Sequence, residues 1–498
     1  MRNNGKLFCL SLATAGLLVS CGQTPAASSA TSTRVCNQIE DEELIEQLNV
    51  VNGDEIYGNI YLPEEVDGHE FSWESSNPNV ISAQQIDQKA PGVVHRQEED
   101  TDVVLTATME GEDGKCYSYS QTVTVKAAAP EINDEDYVGY LFGHFISEDG
   151  TTRNGEKVAL GEQMYFAFAD VGQGLHFKDL STKNNPIIES VVGERGVRDP
   201  YILRSPEGDR FFLIGTDLSV YTRGGWGANQ NDLFSRTGSH SLVLWESFDL
   251  INWSESRLID VAPENAGMAW APEMIYHEET GQYVIFFASC LVNEDRSAKV
   301  ERDAIYAVTT RDFVHFSDPF LMITNQLNAN GSKRCVIDAS LLRVGDVYYS
   351  AVKDGDNNES EGGILIQKTT NIFDYESWEK VMDLDDTGFK MPDGRSKPTN
   401  GNLEGPEWFI YNRADRVDED VPEYGLMGDQ YMNSGAGYLP FATTDIEDIN
   451  NENGCWRRLN SGADADYSWD KLTKRHGTIL RITEEECARI RENYGLDA

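Results

Sequence analysis

Four short stretches place acids where chemistry could occur. They are VRDPYILRS from Val197, AWAPEMIYH from Ala269, VIDASLLRV from Val336 and LEGPEWFIY from Leu403. Each sets polar or small residues, often with a proline, just ahead of an apolar run. Their carboxylates, Asp199, Glu273, Asp338 and Glu404, recur at intervals of about 65–74 residues. A lone Asp-Pro is an ordinary turn. Acids that recur in step are different, because those that converge are hard to keep ionised together. A protonated and an ionised carboxyl facing each other suit cleavage of a glycosidic bond. One protonates the leaving oxygen and the other activates a water on the opposite face, with roughly 6.5–9.5 Å between them.

The repeats around these acids must position them. Each opening continues into a second strand: DRFFLIGTD, GQYVIFFAS, DVYYSAVKD and a weaker YGLMGDQY. Third strands follow in SLVLWES, AIYAVTT, GILIQKTT and GYLPFATT, and three units end in the aromatic closes SFDLINWSE, TRDFVHFSD and NIFDYESWEK. A multi-stranded unit of this length is a propeller blade with loops. A fifth unit is split. YVGYLFGHFI and EQMYFAFAD lead into GLHFKDLST near its start, and HGTILRIT near the chain's end completes it. That closes the ring and removes an open sheet edge. Thr483 and Glu486 form a capping box for a short closing helix.

The expected fold is all-β, a five-bladed β-propeller over 138–498 with a short C-terminal helix, preceded by a small immunoglobulin-like β-sandwich. Innermost strands line a central channel, so matching positions form a ring at its mouth. Asp199, Asp338 and Glu404 come from blades one, three and four. Asp199 and Glu404 then face each other across the channel. Asp338, on the blade beside Glu404, repels that group's ionised form. Glu273 is expected at the ring position of blade two.

The motifs Arg198-Asp199-Pro200, Trp270-Ala271-Pro272-Glu273, Ile337-Asp338-Ala339-Ser340, Leu403-Glu404-Gly405-Pro406 and Arg475-His476-Gly477-Thr478 occur in this order. Together they resemble glycoside hydrolase family 43. The resemblance implies an inverting enzyme with Asp199 as general base, Asp338 as pKa modulator and Glu404 as general acid. It implies α-L-arabinofuranosides or β-D-xylosides of hemicellulose as substrates, with galactosides less often, and a plant-type or algal oligo- or polysaccharide as partner. It requires no cofactor and allows a structural calcium in the channel, with mostly water ligands, near His476. A hydrogen-bonded structural His476 is the alternative. Trp270 is a candidate for stacking on a sugar or for packing between blades. Glu273 and His476 are candidates for substrate hydrogen bonds, and Asp217 reads as a turn residue.

Two departures stand out. Ala339 occupies a position where the family commonly has proline, and the segment 415–433 is long and polar. Five-bladed fructosidases share Arg-Asp-Pro, but they need an earlier nucleophilic Asp that YLFGHFI lacks. A galactosidase-type member and a catalytically silent glycan-binding lipoprotein remain as alternatives.

Arg2 and Lys6 precede an apolar stretch from Leu7 to Val19, too short to span a bilayer, which takes about 20 residues. Leu18-Val19-Ser20-Cys21-Gly22 resembles a bacterial lipobox, with Cys21 as the lipid anchor. Residues 1–21 therefore read as a lipoprotein signal peptide and 22–35 as a flexible tether. The expected location is the bacterial cell envelope, lipid-anchored at the outer membrane or cell surface, with membrane contact only through the anchor. Residues 36–128 read as short strands, NIYLP, EFSWESS, VVLTATM and YSYSQTVTV, and 129–137 as a linker. WESSNPNVIS and LTATMEGEDGK resemble a bacterial immunoglobulin-like domain, expected as a spacer. Cys36 and Cys116 bracket this segment and are expected to pair. Cys290, Cys335, Cys455 and Cys487 show no zinc spacing. A net charge of −43 disfavours nucleic acid and anionic membrane surfaces and suits a neutral glycan.

Overall fold

The computed structural model describes residues 35–324, 335–354, 363–384, 403–431, 437–461 and 464–496. Residues 1–34, and with them Cys21, lie outside the described residues.

Five four-stranded antiparallel sheets make a propeller. The innermost strands of blades one to four are Val197–Arg204, Trp270–His277, Val336–Val344 and Glu404–Ile410. Blade five is built from both ends of the domain. Its innermost strand is the late Gly477–Thr483, followed outward by Tyr137–His144, Tyr165–Ala169 and Lys178–Asp179. The inner strands pack in cyclic order, with Gly477–Thr483 lying against both Glu404–Ile410 and Val197–Arg204. The ring is therefore closed, as the split unit predicts.

Second strands are mostly apolar because both of their faces are covered by neighbouring blades. Phe211–Asp217 is buried at every position. Phe212, Ile214, Leu242 and Leu244 of blade one form one core with Met274, Ile285 and Val308 of blade two. The closing helix Glu484–Tyr494 is capped by Thr483 and Glu486 and buries Cys487 and Ile490.

One local device sets up the channel mouth. All four continuous inner strands lose register at the same place: between Arg198 and Tyr201, Trp270 and Glu273, Ile337 and Ser340, and Glu404 and Glu407. The second residue of each bulge is left-handed, with φ of +50° at Asp199, +46° at Ala271, +53° at Asp338 and +53° at Gly405. Bulges re-aim side chains, and strained backbone of this kind clusters at functional sites.

The N-terminal module has its own core, which includes Leu44, Leu48, Trp73, Ile81, Val103 and Val123. Its main sheet runs Asn37–Gln38, Cys116–Val125, Thr101–Glu110, Ser72–Ser75. It also contains a helix, Glu42–Leu48, capped by Asp41. The Cys36–Cys116 disulfide is formed. The strand expected at NIYLP is absent, and the reason is contact with the propeller. Asn59 donates to Tyr276 Oη and to the Gly281 carbonyl, both at 3.0 Å. Arg311 donates to the carbonyls of Ile60, Pro91 and Ala90. Arg96 pairs with Asp209 at 2.7 Å, and Tyr61 stacks on His315. The module is thus docked on blades one and two.

Candidate active site

The bulges bring Asp199, Asp338 and Glu404 to one end of the channel, where His476 pairs with Asp199 and lies near Asp338. Asp199 Oδ2 accepts from the Thr216 hydroxyl at 2.8 Å, and Oδ1 lies 3.4 Å from His476 Nδ1. Burial alone would raise the pKa of Asp199. The His476 hydrogen bond and charge, the Arg198 guanidinium and the Thr216 hydroxyl outweigh it and hold the carboxyl below its usual value. Burial opposes a charge on His476 as well, but Asp199, Asp338 and Glu407 raise it to about 9. The result is an imidazolium–carboxylate pair in the channel.

Asp338 accepts the Gly405 N–H at 3.0 Å. Burial raises Asp338 to about 6; Glu404 and Asp199 add to the rise, against His476 and Lys353. Glu404 is hydrogen-bonded to Lys353 Nζ at 2.7 Å and lies 3.6 Å from Arg475 Nη2. The simple like-charge pair expected between Asp338 and Glu404 is therefore set among two cations. Arg475 also binds Asp429 at 2.6 Å. Burial, with Glu404 nearby, raises Asp429 to about 6 against the pull of Arg475.

Register corrects the expected ring. The residues before the left-handed position are Arg198, Trp270, Ile337 and Glu404, so Glu404 stands one residue ahead of Asp199 and Asp338. The blade-two counterpart of Asp199 is Ala271, not Glu273. Glu273 falls two residues past it, level with Tyr201, Ser340 and Glu407. It is 2% exposed, and burial together with Glu407 raises its pKa. Burial likewise raises Glu407, to about 7, against its bonds to Glu273 and Thr478. Trp270 is half-buried, packed on Leu218, Val220 and Phe234. Asp217, expected in a turn, instead ends the buried strand Phe211–Asp217, paired with Val197, and accepts the Glu194 N–H from a distant loop at 2.7 Å.

The cation expected near His476 was weighed against the donors in place. His476 Nδ1 faces Asp199 at 3.4 Å, an arrangement in which the other ring nitrogen is the one that would meet an ion or a water. Among the described residues no group of three or more His, Cys, Asp or Glu side chains is arranged to hold an ion. A cation near His476 would therefore depend mainly on water ligands, and the channel also holds the Lys353 and Arg475 cations beside Glu404.

Several partners escaped the sequence reading. Thr216, Lys353 and Asp429 stand opposite Arg198, Ile337 and Glu404 at the ends of second strands. Their signal was a polar residue ending an apolar run, as in FLIGTD, SAVKD and LMGDQ. Glu162 is fully buried and pairs with Arg198 at 3.0 Å. Glu148 Oε1 lies 3.1 Å from Arg198 and 3.2 Å from Arg475, joining the flanks of Asp199 and Glu404.

A family model described as a probable glycosyl hydrolase domain, related to glycoside hydrolase family 43, matches residues 135–488. An α-L-arabinofuranosidase of Bifidobacterium longum subsp. longum is 29% identical over 430 residues, covering 77% of this chain and 36% of the relative. The chain thus spans about a third of the length of that curated relative. Among solved structures, an α-L-arabinofuranosidase from Clostridium thermocellum aligns at 8% identity over 76% of this chain and 92% of its own, with a TM-score of 0.37. An endo-arabinanase from Bacillus licheniformis aligns at 18% identity over 55% and 83%, with a TM-score of 0.32.

Proposed function

The chain belongs to the glycoside hydrolase 43-related family, and from that premise we propose that it hydrolyses α-L-arabinofuranosyl linkages of hemicellulose-type glycans with inversion at the anomeric carbon. The observation that carries this reading is the convergence of Asp199, Asp338 and Glu404 from three blades at one end of the channel, beside His476, Lys353 and Arg475. The arabinofuranosidase relative favours arabinofuranosyl over xylosyl as the cleaved unit.

Asp199 is the base. Its oxygens are oriented by Thr216 and His476 and it is held ionised, so it can take a proton from an attacking water. Glu404 is the acid. Asp338 binds the amide of the very next residue. In this reading Glu404 passes a proton to the leaving oxygen, while Asp338, anchored on the Gly405 amide, stands beside it. Lys353 and Arg475 hold Glu404 in place between turnovers. We further propose that Cys21 carries a lipid that keeps the enzyme on the cell envelope.

The test is stereochemical. Proton NMR of the first-formed sugar should show the β anomer from an α-L-arabinofuranoside before mutarotation equalises the two. Release of the α anomer would remove Asp199 from the role of base, because retention needs carboxyls only about 5–5.5 Å apart and a nucleophile instead.

A further inference from the structure

Blade one carries an extra structure between its second and third strands. Residues 218–240 include two 3-10 turns and a short helix, Leu233–Arg236. The segment is held from within. Glu162 accepts the N–H groups of Val220 and Tyr221 and the Ser219 hydroxyl, at 2.9, 3.1 and 3.1 Å, while also pairing with Arg198. Asn229 accepts the Phe234 N–H at 2.7 Å, and Phe234 is buried with Leu218 and Val220.

This frame presents Trp226, which is 47% exposed. Its ring packs on Phe234, with centroids 5.8 Å apart, and the Arg198 guanidinium lies 5.4 Å from its centroid. Its Nε1 is 3.4 Å from Glu148 Oε1, the atom that also bridges Arg198 and Arg475. Among the described residues the bonds of Glu148 all fall on Oε1, which leaves Oε2 able to accept. A rigidly held, half-exposed indole with a carboxylate at its edge matches the two faces of a sugar. The C–H face lies on the ring, and hydroxyls donate to the carboxylate.

We propose that Trp226 and Glu148 form a subsite for a second sugar unit, beside the unit that Asp199 and Glu404 act upon. This rests on the glycosidase reading above, and it makes an oligosaccharide the preferred substrate over a single glycoside. Exposure alone does not single out Trp226, since scattered exposed apolar side chains are common; the carboxylate at its edge and the Arg198 guanidinium on its face do.

Wild type, Trp226→Ala and Trp226→Phe are compared on an aryl α-L-arabinofuranoside and on an arabino-oligosaccharide. The ratio of kcat/KM on the oligosaccharide to that on the aryl glycoside should fall about tenfold in Trp226→Ala, a loss on the scale of one aromatic contact. Trp226→Phe should recover most of it. In an Asp199→Asn background, whose turnover is slow enough to read binding, the oligosaccharide should quench tryptophan fluorescence, and Trp226→Ala should abolish that change. An unchanged ratio in a variant that melts like wild type would overturn the subsite and leave the glycosidase reading standing. Wild type that cleaves neither substrate would overturn the glycosidase reading, and the subsite with it.

Discussion

The bulges of blades one and two are the same piece of backbone with different contents. At the left-handed position blade one has Asp199 and blade two has Ala271, with φ of +50° and +46°. Aspartate tolerates this conformation because its short polar side chain bonds locally. Alanine has no such compensation, yet it adopts it. The bulge is therefore a property of the propeller, and chemistry is what particular blades hang on it. Blade three hangs a second aspartate. Blade four instead has Gly405 there and moves its acid one residue earlier, onto Glu404. A contact joins the first two blades: the Ala271 N–H donates to Thr216 Oγ1 at 2.7 Å, and that hydroxyl donates to Asp199. Blade two thus contributes an amide to the orientation of the base and no side chain.

The largest effects should come from the blades that carry acids. Asp199→Asn keeps the backbone preference and the shape but cannot take a proton from water. Turnover should fall about 10²–10⁴-fold on every substrate, with little change in melting temperature. Glu404→Gln should lose as much on an oligosaccharide but far less on an activated aryl glycoside, whose leaving group needs little protonation. Equal proportional losses in the two variants would show that the division of roles between blades one and four is wrong.

A smaller effect is expected where blade four departs from the others. A Cβ added at Gly405 would lie 2.6 Å from the His476 ring, at a φ of +53°. The left-handed conformation alone costs a non-glycine residue about 1–2 kcal/mol. Gly405→Ala should lower stability by roughly 2–4 kcal/mol, because the clash also pushes His476 off Asp199. A pH signature separates the two parts. His476 has a folded pKa raised to about 9, so its contribution is fully present below the unfolded value, near 6.5, and is lost as pH climbs through 9. Denaturant titrations should show the widest gap between wild type and Gly405→Ala below pH 6.5 and a narrower one at pH 9. A constant gap would mean that only backbone strain is involved.

Much of this was legible in the sequence, and the exceptions share a cause. Repeats and strand runs are local patterns, so the five blades, the closing strand and the capped helix could be read directly. Glu273 reads as a ring residue because it is acidic and follows Pro272. A bulge adds a residue without altering the apolar count, so composition could not reveal that Ala271 holds that place. The same limit hid Glu148 and Glu162. They lie near the start of the propeller domain, in blade five, and meet Arg198 only through the fold. NIYLP has the alternation of a strand, but its polar groups are taken by Tyr276, Gly281 and Arg311 of another domain.

The smallest effect is the sharpest check on the idea that the bulge is architecture. Ala271→Gly makes blade two like blade four at this position. Glycine relieves about 1 kcal/mol or more of left-handed strain. It also loses the burial of one methyl, about 0.8 kcal/mol, and frees the unfolded chain by roughly 0.5–1 kcal/mol. These terms nearly cancel, so stability should stay within about 1 kcal/mol of wild type. The amide that donates to Thr216 is kept, so turnover should stay within about twofold. Chemical denaturation and kcat on an aryl glycoside measure both. A tenfold loss of kcat without loss of stability would mean that the Ala271 methyl itself helps to place Asp199, and that blade two is part of the catalytic machinery after all.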